Sequence, residues 1–132
     1  EVIAQLRKQR YRVRIISLAF SPVVAYFATK LGVYDYICPR ITLKANGKYD
    51  GRLRASRFED KKCTCCSRYI CKKKAINIVS KMHQYTNEEC VGIGDGLMDK
   101  CMFDAVGLSI GYKTDIAEKQ IENLAEIMIN LE

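Results

Sequence analysis

The chain has little of several features on which common functions depend. Its 132 residues contain one histidine, His83, which argues against Ser-His-Asp and Cys-His catalysis. No run of about 18 apolar residues is present, so no membrane span is expected. The first residues, Glu1 to Ala4, show no charged head before an apolar stretch and do not read as a signal peptide. A hydrophobic content of 48% is enough for a packed core, which excludes a disordered chain.

Charge of one sign prevails, because the net charge is +7 and the pI is near 9.1. A basic chain can attract nucleic acid, acidic membranes or phosphorylated small molecules. The charge is clustered at Arg7 to Arg14 and at Lys72 to Lys74. Aromatic residues are not interleaved with these clusters in the way that base-stacking surfaces require, so nucleic acid is not the expected partner.

Seven cysteines are present, and their odd number, without a signal peptide, predicts a reducing compartment and a cytoplasmic location. Cys63 and Cys66 have the C-x-x-C spacing of metal ligands. Together with Cys38 and Cys71 they could form a four-cysteine zinc site. The alternative is a set of reduced structural thiols or a redox pair, since the chain has no second C-x-x-C.

Strand and helix patterns alternate along the chain, which predicts an α/β fold with a parallel sheet covered on both faces. Asn46-Gly47 lies between two β-prone runs and predicts a β-hairpin. Strands are predicted at 13–16, 34–38, 90–94 and 106–110, and helices at 1–10, 21–31, 72–83, 98–105 and 115–131. Ser21 is the predicted N-cap of the second helix, whose predicted apolar stripe comprises Val23, Val24, Phe27, Ala28 and Leu31. In the 72–83 helix, the predicted inward residues are Ala75, Ile78, Val79 and Met82.

The most informative segment runs from Val91 to Asp99 and reads as a strand, a glycine turn and a helix start. The turn carries two carboxylates, Asp95 and Asp99, at the carboxyl end of a predicted parallel strand, where open α/β sheets bind ligands. Hard oxygen ligands of this kind suit Mg²⁺. A strand-to-helix turn with an aspartate N-cap is the structural alternative.

Three motifs carry a resemblance to the haloacid-dehalogenase (HAD) superfamily of phosphatases. The segment from Gly94 to Asp99, followed by Met102, Ala105, Gly107 and Ile110, resembles the fourth motif of the phosphoserine-phosphatase-like branch. Arg14 to Ser17 resembles the second motif, and Cys71 to Lys74 resembles the third. The run from Cys66 to Lys72 is similar to one found in phosphocholine, pyridoxal-phosphate and methionine-salvage phosphatases, and it would select Lys72 as the functional lysine.

The resemblance implies a Rossmann-like three-layer α/β/α sandwich, with residues 1–132 forming the C-terminal part of a single HAD-like core domain. It implies Mg²⁺-dependent hydrolysis of a small phosphorylated metabolite through an aspartyl-phosphate. In that scheme Asp95 and Asp99 form the metal site, and Lys72 and Asp99 are the catalytic residues of this chain. The substrate phosphate would be bound by Lys72, by the Ser17 hydroxyl and by the backbone N–H groups of Leu18 and Ala19.

Two departures from the family pattern affect the prediction. Met98 stands where this branch usually has asparagine. The first motif, DxDx[TV], which carries the nucleophile, is absent, since none of the sixteen residues before Ser17 is aspartate. The cap domain is missing as well. We therefore expect a fragment or processed product that is inactive unless a further N-terminal segment completes it.

Two other functions stay open. A phosphotransferase or mutase of the same superfamily would share these motifs. A non-catalytic, basic, cysteine-rich module that binds zinc and a nucleic acid or protein belongs to a different class.

Overall fold

The computed structural model describes residues 1–66, 69–113 and 123–130. Helices and parallel strands alternate along it, so the predicted α/β class is confirmed. Contacts within the chain divide it into two compact units, Glu1–Ser56 and Arg57–Glu132. Within the described ranges, no helix combines the length and the apolar character needed to cross a membrane.

The first unit is built on a strand–helix–strand element. Helix α1 (Val2–Lys8) precedes strand β1 (Ile15–Ile16), helix α2 (Ser21–Lys30) and strand β2 (Tyr36–Ile37), and β1 and β2 pair in parallel. Helix α2 ends as predicted before Gly32, which has a φ of +63° that favours glycine. The core of this unit is apolar and comprises Val24, Ala28, Val33, Ile37 and Cys38.

Helix α2 differs from its prediction in two respects. Its first residue is Ser21 itself, and the residue at the cap position is Phe20. The predicted apolar stripe is too wide, because Val24 and Ala28 are buried while Val23, Phe27 and Leu31 are about half exposed.

The predicted hairpin is present and consists of strands β3 (Ile41–Leu43) and β4 (Tyr49–Leu53), which pair antiparallel. In its turn, Gly47 has a φ of +77°, and the Asn46 side chain accepts a hydrogen bond from the Lys48 N–H at 3.1 Å. The Asn-Gly pair therefore forms the turn, because glycine adopts the positive φ and the asparagine side chain hydrogen-bonds the backbone two residues further on.

The second unit contains a parallel three-stranded sheet in the order β5-β6-β7. Its strands are β5 (Val91–Gly94), β6 (Leu108–Tyr112) and β7 (Ile127–Ile129), and its helices are α3 (Lys72–His83) and the short α4 (Lys100–Phe103). Single turns of 3₁₀ helix lie at Asn87–Glu89 and Leu97–Asp99. Helix α4 packs against α3 and against β5 and β6, and this packing forms the core of the unit.

Helix α3 has the predicted bounds but a different buried face. Its buried residues are Lys72, Ala75, Ile76, Val79 and Ser80. Met82, which was predicted to face inward, is 58% exposed, and Ile78 is half-buried. The helix is therefore rotated so that a lysine and a serine take part in its packed face.

The C-terminal part of the second unit corrects the sequence prediction most clearly. Residues 127–129 form strand β7, whereas the sequence predicted helix through this segment. Residues 115–122 and 131 of that predicted helix lie outside the described residues. Strand β6 begins at Leu108, two residues later than predicted. Gly107 is not part of the strand, because its N–H donates to the carbonyls of Asn87 and Cys90, which lie just before β5.

Candidate active site and thiol group

The turn after β5 is organised around the Asp99 carboxylate. Its Oδ2 accepts hydrogen bonds from the backbone N–H groups of Asp95 at 3.1 Å and of Gly96 at 3.3 Å. Asp99 is 3% exposed and lies at the end of the 3₁₀ turn that follows these residues. The side chain thus closes the turn back on the carboxyl end of the strand.

Gly94, the last residue of β5, is required by this arrangement. A Cβ atom at position 94 would lie 2.7 Å from Asp99 Cβ and would also collide with the carboxylate. At Gly96, by contrast, a Cβ atom would meet nothing within 4 Å. The first glycine of the Gly-Asp-Gly motif therefore makes room for the Asp99 side chain.

A buried ion pair joins the start of α3 to the turn after β5. Lys72 Nζ donates to Asp99 Oδ1, and Lys72 is 9% exposed. The neighbouring lysines lie elsewhere, because Lys73 is exposed and Lys74 Nζ donates to the Glu59 carbonyl at 2.6 Å. Of the three adjacent lysines, Lys72 is the one that reaches the predicted site.

Asp95 and Asp99 differ in their surroundings although they are four residues apart. Each Asp99 oxygen already accepts at least one hydrogen bond, whereas Asp95 is exposed. No hydrogen bond or ion pair to the Asp95 carboxylate is found among the described residues. The donor set therefore fits a Mg²⁺ ion held directly by Asp95, with Asp99 engaged by Lys72 and the backbone.

In the first unit, Ser17 directly follows β1 and continues its ladder, since its N–H donates to the Ile37 carbonyl at 2.9 Å. The Ser17 hydroxyl accepts a hydrogen bond from the Ala19 N–H at 3.1 Å. Of the two predicted phosphate-binding N–H groups, that of Ala19 is thus directed at the Ser17 side chain. Leu18, the residue between Ser17 and Ala19, is half-buried.

Four cysteine sulfurs of the second unit lie together and form what we call the thiol group: Cys63, Cys66, Cys71 and Cys101. All four Sγ atoms lie within 4.8 Å of one another. The sequence analysis proposed Cys38 as the fourth residue, whereas in the structure the sulfur that lies with the other three is that of Cys101. The sequence points to Cys101 as a member of this group only indirectly, through the predicted site residues beside it. If Lys72 contacts Asp99, then Cys71 and Cys101, one and two residues away, must also come close.

The members of the thiol group differ in acidity. Burial raises the pKa of Cys101 to about 12, although the backbone N–H of Lys73 acts in the opposite direction. Burial likewise raises the pKa of Cys66. At Cys63 burial is outweighed by hydrogen bonds from the Cys66 side chain and from the N–H groups of Cys65 and Cys66, which lower its pKa to about 6.

The fold is that of the HAD-like phosphatases. Phosphoserine phosphatase in its apo form matches with a TM-score of 0.72 and 25% identity, over 96% of this chain and 57% of that one. A probable phosphoserine phosphatase from Vibrio cholerae, unliganded, gives 0.76 at 19% identity, over 98% and 36% of the two chains. A HAD family hydrolase from Salmonella enterica gives 0.71 at 11% identity, over 97% and 40%. The HAD-like fold predicted from the motifs is confirmed.

A family model described as "Putative Phosphatase" matches residues 1–108, and the chain belongs to this family. It spans 57% of the length of the apo phosphoserine phosphatase that it matches. No curated protein matches its sequence.

Proposed function

We propose that this chain is the C-terminal part of the core of a Mg²⁺-dependent phosphatase that hydrolyses a small phosphomonoester through an aspartyl-phosphate. The observation that carries the proposal is the buried Lys72–Asp99 ion pair next to the exposed Asp95 carboxylate. A buried cation held in place beside a carboxylate at the end of a parallel strand is a suitable arrangement for binding and neutralising a phosphoryl group.

Lys72 would contribute positive charge to the phosphoryl oxygens. Phosphate monoester hydrolysis needs up to about 10²¹-fold acceleration, most of which comes from positioning and from charge stabilisation. Asp99 would fix the position of the Lys72 ammonium group, which makes Asp99 a positioning residue. A lysine held in this way needs no rearrangement when charge develops on the substrate.

Asp95 would hold the metal. Bound Mg²⁺ supplies positive charge to phosphoryl oxygens, and it prefers one or two carboxylates with the remaining positions left to water and phosphate. An exposed Asp95 with no described partner meets that requirement. Ser17 would donate its hydroxyl hydrogen to a phosphate oxygen, because its oxygen accepts, and does not donate, in its contact with Ala19.

In the family that the motifs resemble, the nucleophilic aspartate precedes the second motif. Because no aspartate precedes Ser17 in this sequence, the proposal assigns the nucleophile to a further strand. The second unit offers a place for the strand that would carry it. In the described part of the chain β5 pairs with β6 alone, and Ile93 on β5 is 61% exposed. A strand added in parallel along β5 would bring its carboxyl end next to Asp95.

Binding of tungstate, a phosphate analogue, tests the roles of the residues in this chain. We expect binding that requires Mg²⁺ and is weakened at least about tenfold by Asp95→Asn and by Lys72→Met, since each removes a charge-assisted contact. Lys73→Met is the matched control, because it removes the same charge from an exposed neighbour. Equal binding by all four proteins, or binding independent of Mg²⁺, would refute the proposed site.

Activity assays test the absence of a nucleophile. We expect residues 1–132 alone to show no phosphomonoester hydrolysis above the buffer rate, with or without Mg²⁺. Steady Mg²⁺-dependent turnover that Asp95→Asn abolishes would show that the nucleophile lies within this chain. The proposal of a further strand would then be wrong.

A further inference from the structure

The thiol group joins three segments of the second unit. Cys63 and Cys66 come from the loop before α3, Cys71 lies at the cap position of α3, and Cys101 is in α4. Cys66 Sγ lies 2.9 Å from Cys63 Sγ and 3.5 Å from Cys101 Sγ. Cys71 and Cys101 are buried, with exposed fractions of 2% and 7%, and Cys63 and Cys66 are half-buried.

The spacing of these sulfurs suits a tetrahedral metal ion. Zinc binds cysteine sulfur at about 2.3 Å, which places the four sulfurs of a tetrahedral site about 3.8 Å apart. In the thiol group, Cys66 Sγ lies 2.9 Å from Cys63 Sγ and 3.5 Å from Cys101 Sγ, and no two of the four sulfurs are more than 4.8 Å apart. Small side-chain rotations would therefore complete the site.

Backbone N–H groups face three of the four sulfurs. The N–H groups of Cys65 and Cys66 are directed at Cys63. The N–H groups of Lys72 and Lys73, in the first turn of α3, are directed at Cys66 and Cys101. Hydrogen-bonding partners of this kind fix the orientation of the side chains that bind a metal.

We propose that Cys63, Cys66, Cys71 and Cys101 bind one Zn²⁺ ion as a closed structural site. The ion would tie the loop before α3 to the starts of α3 and α4. Because Cys71 adjoins Lys72 and Cys101 lies two residues after Asp99, it would also hold together the two segments whose side chains form the buried ion pair. This site does not depend on the proposed phosphatase activity.

A disulfide between Cys63 and Cys66 is the competing explanation. A disulfide has an S–S length near 2.05 Å and would use two of the four sulfurs. It would leave the buried sulfurs of Cys71 and Cys101, which lie within 4.8 Å of the other two, outside the bridge. The arrangement of all four sulfurs is what favours a metal.

The test is the metal content of the whole chain, purified under reducing conditions and reconstituted with Zn²⁺ or Co²⁺. We expect one ion per chain, and with Co²⁺ the visible absorption of tetrahedral thiolate coordination. Cys101→Ser and Cys63→Ser should each weaken Zn²⁺ binding by more than about tenfold. Losing a residue that only hydrogen-bonds a metal ligand already costs about tenfold, and losing a ligand itself should cost more. Cys38→Ser and Cys90→Ser are the controls, since neither sulfur belongs to the thiol group, and both variants should keep the ion.

Each alternative result overturns the proposal. Reconstituted protein with seven free thiols and no ion would exclude the site. Five free thiols with a Cys63–Cys66 disulfide would replace it with a redox pair. Loss of the ion in Cys38→Ser but not in Cys101→Ser would assign the ligands as the sequence alone suggested. Since Cys63 is half-buried, Cys63→Ser keeps the test valid if Cys101→Ser fails to fold.

Discussion

At the scale of single residues, the two glycines of the Gly-Asp-Gly motif have different roles. Gly94→Ala would place a methyl group against the Asp99 side chain, so we expect it to lower the free energy of unfolding by about 3 kcal/mol through overpacking and displaced hydrogen bonds. Gly96→Ala should change it by less than about 0.5 kcal/mol, because its φ of −157° is extended and the space is open. Urea denaturation measures both, and equal costs would contradict this explanation.

The buried ion pair leads to a second prediction at this scale. Lys72→Met leaves the Asp99 charge buried with its two N–H donors and no cation, so we expect a loss of about 3 kcal/mol in unfolding free energy. Lys73→Met, at an exposed position, should stay within about 0.5 kcal/mol of the parent chain. Urea denaturation measures the free energy of unfolding of both variants. If both variants were equally stable, the pairing of Lys72 with Asp99 would be refuted.

Much of the candidate site could be predicted from the sequence because its residues form local motifs. The turn from Gly94 to Asp99 and the lysine at the start of α3 both have recognisable letters at fixed spacing. Cys101 could not be found in this way. Its place in the thiol group depends on packing between segments about 30 residues apart, and the sequence offered Cys38 as an equally plausible fourth sulfur. The role of each site residue stays a prediction.

At the scale of elements, the rotation of α3 can be tested by matched truncations. Val79 is 8% exposed and Met82 is 58% exposed. Val79→Ala should cost about 2 kcal/mol of stability by leaving a cavity, whereas Met82→Ala should cost less than about 0.5 kcal/mol. Thermal or urea unfolding of the two variants measures the difference. If Met82→Ala lost more stability than Val79→Ala, the buried face of α3 would be the one predicted from the sequence.

Element bounds were predicted better than element faces. The bounds of α3 follow from its local pattern, but its face depends on what it packs against, and both candidate faces contain Ala75 and Val79. The error at β7 has a different cause. Ile127-Met128-Ile129 is a short apolar run, and periodicity alone cannot distinguish such a run in a strand from one in a helix. Its pairing with Ile110 to Tyr112 is long-range and leaves no local signal.

At the scale of the whole molecule, the prediction that residues 1–132 form one domain remains to be tested. Units of 56 and 76 residues are each small for an independent core. We therefore expect a single cooperative thermal transition, with a calorimetric enthalpy equal to the van't Hoff enthalpy within error. Differential scanning calorimetry of the full chain gives both values. Two separate transitions would show that the units fold independently.

The hydrogen bonds that close the turn after β5 have a consequence for how any ligand would bind there. Asp99 orders the backbone of Asp95 and Gly96 within the folded chain itself. The conformational entropy of that turn is therefore lost during folding, and a ligand arriving at Asp95 does not have to order it again. Binding at a site of this kind keeps a larger share of its interaction energy as affinity. Amide hydrogen exchange in the turn should accordingly be slow before any ligand is added.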